Sequence, residues 1–212
     1  MLFLTRWRLL LKIINSGLLW SAIFIAIVLT ILVSIVNHPV IILGIYEIGF
    51  TLVAILIFSQ LILVEVEEGI LKWLMALPLN KWTFLLQRWL AAVILLLGLF
   101  TSSIAVVHGQ LGELSMKQLY FEALAPSFFL GNVAIVSTLI GRSASAGLGI
   151  PLFYVAFETL SRGSISKAFF LFNTTISINA VDQVLNRQMI WISSFVILGI
   201  CGILLMRPGL RR

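Results

Sequence analysis

The sequence predicts an all-α membrane protein with six transmembrane helices, one amphipathic helix at the N-terminus, a second on the cytoplasmic side and a helical hairpin on the outer side. The first observation is composition: 61% of the residues are hydrophobic and 10% are charged, whereas soluble domains are about 45–50% apolar and about 25% charged. The second is a series of six apolar runs, of roughly the 17–25 residues that a helix needs to cross a bilayer. The third is that turn or charge signals separate these runs. We therefore expect residues 1–212 to form a single transmembrane domain.

The apolar runs define the predicted spans. They are Leu18–Val36, Val40–Val64, Trp82–Val107, Leu119–Ile140, Ala144–Leu160 and Met189–Met206. The first run is too long for the apolar region of a signal peptide, and no small-x-small cleavage site follows it, so we expect a retained span. The fifth run is the shortest and contains Gly147, Gly149 and Pro151. Spans tolerate such breakers where neighbouring helices satisfy the freed backbone groups.

The distribution of Lys and Arg predicts the orientation, because cytoplasmic segments of membrane proteins carry an excess of both. With the N-terminus inside, ten of these residues fall on the inner side and four on the outer side. The inner ones are Arg6, Arg8, Lys12, Lys72, Lys81, Arg88, Arg142, Arg207, Arg211 and Arg212, and the outer ones are Lys117, Arg162, Lys167 and Arg187. The net charge of +6 thus reflects orientation in a membrane rather than nucleic-acid binding. We expect a plasma membrane, in a bacterial cell, with both termini in the cytoplasm.

Two segments outside the spans have amphipathic character. Residues 1–15 contain the helix-forming stretch Leu2–Ile14, with basic residues toward the lipid headgroups and Trp7 at the interface. Residues 65–79 begin with carboxylates, which favour the positive end of a helix dipole, and Pro78 ends the helix. Their apolar stripe has helical spacing and consists of Ile70, Trp73, Leu74 and Leu77. From the pattern alone, an interfacial helix that merely connects two spans is an equally good interpretation.

The outer link, residues 161–188, is too long for a simple turn. Ile165–Phe172 is apolar but too short to span, Asn173-Thr174-Thr175 has the composition of a turn, and Ile178–Leu185 is a second short segment. This pattern predicts a helical hairpin, and an ordinary interfacial helix is the alternative.

The sequence Glu68-Gly69-Ile70-Leu71-x-x-Leu74-Met75-x-Leu77-Pro78-Leu79, with Arg88 near the start of the next helix, resembles the ABC-2 class of ATP-binding-cassette transporter permeases. In that class an elbow helix precedes six spans, a coupling helix follows the second span, and a re-entrant hairpin precedes the last. The resemblance implies that residues 1–15 are the elbow helix, 65–79 the coupling helix and 161–188 the hairpin. It also implies a separate ATPase subunit, bound through Glu67, Glu68, Gly69, Ile70, Trp73, Leu74, Leu77 and Pro78.

The function implied by the resemblance is a permease subunit of an ATP-driven ABC exporter, which acts as a dimer with a second copy or a related permease. The expected substrate is a peptide or another amphiphilic or hydrophobic molecule. The chain contains no G-x-x-x-x-G-K-[ST] motif, so ATP and Mg are expected on the partner subunit, with no cofactor and no catalytic residue on this chain. The alternatives are a permease like the heme exporter of cytochrome c maturation, whose corresponding segment is similar, and a non-transporting immunity or scaffold protein.

Polar residues at membrane depth are the remaining candidates. Glu47, Gln60 and Asn132 could line a substrate path, or could hold helices together by hydrogen bonds. Glu122 is expected among lipid headgroups, and Glu158 is expected to pair with Arg162 four residues on. No Cys/His pattern predicts a metal site. The single cysteine, Cys201, is expected to be a buried thiol.

Overall fold

A computed structural model of the protein describes residues 16–36, 38–63, 66, 80–107, 109, 116–161, 164, 166, 169–172 and 180–206. The predicted elbow helix and the predicted coupling helix, apart from Val66, lie outside the described residues, as does the turn of the predicted hairpin.

Within the described part of the chain, the architecture is six α-helices. They are α1 (Ser16–Ile35), α2 (Pro39–Ser59), α3 (Lys81–Val107), α4 (Met116–Gly141), α5 (Ala144–Ser161) and α6 (Ala180–Met206). Helices α2 to α6 are long and apolar enough to cross a membrane, and the apolar part of α1, Leu19–Ile35, is shorter. The all-helical class is therefore confirmed, and five such helices are compatible with a multi-pass membrane protein. The six-span layout stays a prediction.

Helices α4 and α2 form the centre of the bundle. Within the most apolar 18 residues of each helix, 78% of the residues of α4 and 67% of those of α2 are buried. The corresponding share is 22% to 33% for α3, α5 and α6. Helix α4 packs on α2, α5 and α6, and α1 packs on α2 and α3. The outer helices leave one face apolar and exposed, as lipid contact requires. On α1 that face consists of Trp20, Phe24, Ile27, Val28, Ile31, Leu32 and Ile35.

Local sequence signals explain where the helices begin and end. Pro39 starts α2 at a position where its missing N–H is not needed. Asn80 caps α3, because its side-chain oxygen accepts a hydrogen bond from the Trp82 N–H at 3.1 Å. Between α4 and α5, Arg142 adopts a left-handed conformation with φ of 50°, which ends α4 directly after Gly141.

Two glycines allow helices to approach closely. A Cβ added at Gly49 of α2 would collide with the Leu29 side chain of α1, and one added at Gly147 of α5 would collide with the Thr138 hydroxyl of α4. Small residues at helix contacts are typical of membrane bundles, where packing replaces the hydrophobic effect as the force between helices. Gly147 therefore has a packing role in the predicted fifth span, the one that contains helix breakers.

The last helix differs from the prediction. It begins at Ala180 rather than Met189, and so takes in most of the segment Ile178–Leu185 that was expected to form the second half of a hairpin. The apolar run that predicts this span begins only at Met189, because Asn186, Arg187 and Gln188 are polar. The helix continues through them because Asn186 and Arg187 are buried inside the bundle.

Candidate functional site

The site begins with a carboxylate on the central helix α2. Glu47 is fully buried and lies within one helical turn of Tyr46, Phe50 and Thr51, which are also buried. It forms an ion pair with Arg187 of α6, whose exposed fraction is 2%. An isolated charge in such surroundings is very unfavourable. Glu47 therefore faces a cation inside the bundle and does not face lipid.

Arg187 also binds the chain that precedes α6. Its Nη2 donates to Glu47, and its Nη1 donates to the backbone carbonyl of Leu171 at 2.6 Å. A guanidinium is suited to this task, because its planar fork of donors serves two acceptors at once. One buried side chain thus joins α2, α6 and the segment that follows α5.

The residues around Leu171 form an inserted segment, which we define as Phe169–Phe172. Phe170, Leu171 and Phe172 are each at most 3% exposed. They pack in a cluster with residues from four helices: Ile55, Ala125, Leu130, Ala134, Val155 and Ile190. Irregular backbone at membrane depth is tolerated only when protein or a water-filled cavity surrounds it. The burial of this segment and the bond from Arg187 to its carbonyl meet that requirement.

A second carboxylate holds the same stretch of chain. Glu158 of α5 is fully buried. Its two oxygens accept hydrogen bonds from the Tyr154 hydroxyl and from the Ser166 hydroxyl, each at 2.9 Å. Arg162, the partner expected for Glu158, lies outside the described residues. Ser166 comes three residues before Phe169, so Glu158 fixes the approach to the inserted segment.

Asn132 links three helices. Its side-chain oxygen accepts a bond from the Trp89 indole N–H of α3 at 2.9 Å. Its amide nitrogen donates to the backbone oxygen and to the hydroxyl of Ser194 on α6, at 3.0 and 2.9 Å. Full burial and this set of partners favour the role of a hydrogen-bonding link between helices. A position on a substrate path stays a prediction.

The end of α2 carries the third predicted path residue. Gln60 follows the last turn and is 1% exposed, and its Nε2 donates to Ser59 Oγ at 3.4 Å. Among the described residues, its side-chain oxygen has no hydrogen-bond donor. One residue further, the Leu61 carbonyl accepts a bond of 2.6 Å from Arg88 of α3. Arg88 also lies over the Phe84 ring, 4.4 Å from its centroid.

The count of Lys and Arg residues includes Arg187 and Arg88 among the charges that indicate orientation. Both are buried within helices. Without them the charge count becomes nine inner residues against three outer ones, from ten and four, so the bias persists. A carboxyl group at membrane depth needs a polar partner or water, and that need was the only sequence signal for Arg187.

The other sequence-predicted positions give less information. Every residue predicted to bind an ATPase, from Glu67 to Pro78, lies outside the described residues. In the part of the chain that is described, no group of three or more His, Cys, Asp or Glu side chains could hold a metal ion. Cys201 is buried in α6. A shallow depression of about 320 Å³ lies against Phe121, Gln188, Trp191 and Ile192.

No protein-family model, curated protein or solved structure matches this chain.

Proposed function

We propose that this chain is the permease subunit of an ATP-driven exporter of the ABC-2 class. The observation that carries the proposal is the acidic, glycine-containing sequence Glu68–Leu79, with its apolar stripe and terminal proline. It lies between α2 and α3, the position that a coupling helix occupies in that class. The helical, apolar character of the described chain is compatible with this role.

The ends of the two helices that flank this sequence support the proposal. Arg88 of α3 donates to the Leu61 carbonyl just after α2, which ties the two helices together where the chain leaves and re-enters the bundle. A hydrogen bond from a charged donor is stronger than a neutral one, by about twofold. A displacement of residues 65–79 by a bound subunit would therefore move α2 and α3 together. Helix α2 in turn carries Glu47, which is paired with α6.

In this proposal the energy comes from a partner. An ATPase subunit binds ATP and Mg and docks on Glu67, Glu68, Gly69, Ile70, Trp73, Leu74, Leu77 and Pro78. Two permease chains, identical or related, enclose the path. The substrate is a peptide or another amphiphile, which suits a bundle whose outer faces are apolar along most of their length.

The test is co-purification of the tagged chain with an ATPase from its own cell, followed by measurement of the ATPase rate with and without the permease. Trp73→Ala and Leu74→Ala remove the apolar stripe and should abolish both co-purification and stimulation of the ATPase. Lys72→Ala is the matched control, because Lys72 lies on another face of the same predicted helix and should leave both unchanged.

Two results would contradict the proposal. The first is stimulation of the ATPase by the Trp73 and Leu74 variants at the wild-type rate. The second is a correctly inserted wild-type chain that retains no ATPase, which would instead favour the scaffold or immunity function. Arg88→Gln adds a separate measurement: it should preserve binding of the ATPase and reduce stimulation, because it weakens the connection between α2 and α3.

A further inference from the structure

We propose that the inserted segment, Phe169–Phe172, is a releasable cover over the buried Glu47–Arg187 ion pair, and that this ion pair holds it closed. This inference is independent of the proposed function, since a carrier or a scaffold could contain the same device.

The inserted segment is attached by side chains of other elements. Arg187 of α6 binds the Leu171 carbonyl, and Glu158 of α5 binds Ser166 just before the segment. Neither bond belongs to the backbone ladder of a helix. These two bonds can therefore break while the backbone hydrogen bonds within α5 and α6 stay intact.

The segment lies against both apolar and charged groups. Its side chains pack on apolar residues such as Ile55 and Ile190, and the Glu47–Arg187 ion pair lies at the Leu171 carbonyl. Nearby on α2 and α4, the Thr51 and Ser127 hydroxyls lie 3.5 Å apart. Charges that enter water regain the hydration that burial took from them. Opening therefore exchanges the apolar contacts of Phe170, Leu171 and Phe172 for hydration of the charged groups, and these opposing terms allow a local equilibrium.

Glu47 acts on the cover through Arg187. The guanidinium uses one terminal nitrogen for Glu47 and the other for Leu171. The Glu47 carboxylate thus orients the Arg187 guanidinium, which in turn holds the inserted segment. Glu47 is therefore a positioning residue for Arg187. Loss of Glu47 frees Arg187 to turn away, and the Leu171 carbonyl then loses its donor.

The test measures the reaction of thiols with a water-soluble maleimide in the full-length chain in detergent. Leu171→Cys supplies the reporter, and Cys201, buried in α6, is the internal control for global unfolding. Each rate is divided by the rate of the same cysteine in denatured chain. We expect residue 171 to react at least ten-fold faster than Cys201, as local opening requires. Equal normalised rates would mean that the segment opens only when the whole chain unfolds, which would overturn the proposal.

Variants then test the ion pair. Glu47→Gln, whose neutral oxygen accepts a weaker hydrogen bond from Arg187 than the carboxylate does, should raise the rate at residue 171 by about ten-fold. The rate at Cys201 should rise by a smaller factor. Asn132→Ala is the matched control: it removes buried bonds to Trp89 and Ser194 but does not touch Arg187. An equal effect of both variants on residue 171 would show general loosening and overturn the proposal.

An exchange of charges keeps the experiment decisive if Glu47→Gln folds poorly. Glu47→Arg with Arg187→Glu retains an ion pair but places a carboxylate where the donor to Leu171 stood. Fast labelling at residue 171 with slow labelling at Cys201 is expected. Wild-type labelling of the exchanged chain would show that Arg187 does not hold the segment. Amide exchange of the peptide that contains residues 169–172 repeats the comparison without the reporter cysteine.

Discussion

Replacing one member of the Glu47–Arg187 pair should destabilise the bundle more than replacing both. Glu47→Leu leaves a buried guanidinium without its carboxylate, a change that costs about 3–5 kcal/mol. Arg187→Met leaves the Glu47 carboxylate unpaired at similar cost and also removes the donor to the Leu171 carbonyl, which adds about 1–3 kcal/mol. The double variant buries no charge, and apolar replacement of a buried pair is often neutral. Only the lost Leu171 bond, again about 1–3 kcal/mol, should remain in the double variant.

Thermal unfolding of the purified chain measures these differences. A fluorogenic maleimide that reacts with Cys201, the only cysteine, reports exposure of α6 as the bundle melts. For a chain of this size about 1 kcal/mol corresponds to about 2–4 °C in the melting temperature. Glu47→Leu should therefore lower it by about 6–20 °C, and addition of Glu47→Leu to Arg187→Met should raise it again. Glu47→Gln, which keeps an oxygen for Arg187, should fall between wild type and Glu47→Leu.

The reasoning is refuted if the double variant melts below both single variants. That order would mean that the two side chains contribute independently, by packing alone, and that their charges do not compensate each other inside the bundle.

Three further predictions concern packing, hydrogen bonding and topology. Asn132→Leu should lower the melting temperature by about 4 °C or more, because it removes three interhelical bonds that average about 0.6 kcal/mol each in membrane proteins. Gln60→Leu should leave the melting temperature unchanged or raise it, because the described chain offers no donor to the buried Gln60 oxygen. An equal fall in the melting temperatures of Asn132→Leu and Gln60→Leu would contradict the hydrogen-bond assignments. Gly147→Ala should destabilise by about 1–3 kcal/mol through its collision with Thr138. Gly149→Ala, in the same helix with no atom within 4 Å of the added Cβ, should be neutral or stabilising in the same melting assay, and a similar loss there would refute the packing explanation. Single cysteines at Asn37, Gly112 and Asn173, made with Cys201→Ala, should react with an impermeant reagent added to intact cells, and cysteines at Asn80 and Ser143 should not. Reaction at Asn80 would contradict the orientation inferred from the Lys and Arg count.

The positions of the helices follow largely from local sequence. Hydropathy placed the start of α3 at Trp82, one residue from the observed Lys81, and its end at the observed Val107. The break between α4 and α5 at Gly141-Arg142-Ser143 was also predicted. The length of an apolar run and the presence of a turn residue are properties of the segment itself. The lipid-facing surface adds to this signal, since residues on both faces of most of these helices must be apolar.

The start of α6 and the course of the outer link could not be predicted from apolar run lengths and turn residues. Asn186 and Arg187 have the composition of a loop and lie within a helix. The burial of Arg187 is stabilised by Glu47 and by the Leu171 carbonyl, which come from other parts of the chain. Hydropathy does not include such compensation. The outer link illustrates the same limit, because Phe170 and Phe172 are equally suited to a helix in the interface and to an irregular segment inside the bundle.

The sequence by itself determined that the chain is helical and apolar, where most of its helices lie, and that Glu47 should face either a substrate path or a polar partner. Only the tertiary structure decided that the partner is Arg187, which is 140 residues away, and that the same guanidinium holds Leu171. The physical reason is that the cost of burying one charge can be calculated from that residue alone, whereas its compensation depends on which helix faces α2. That choice is made by the close packing of α2, α4 and α6 as a whole.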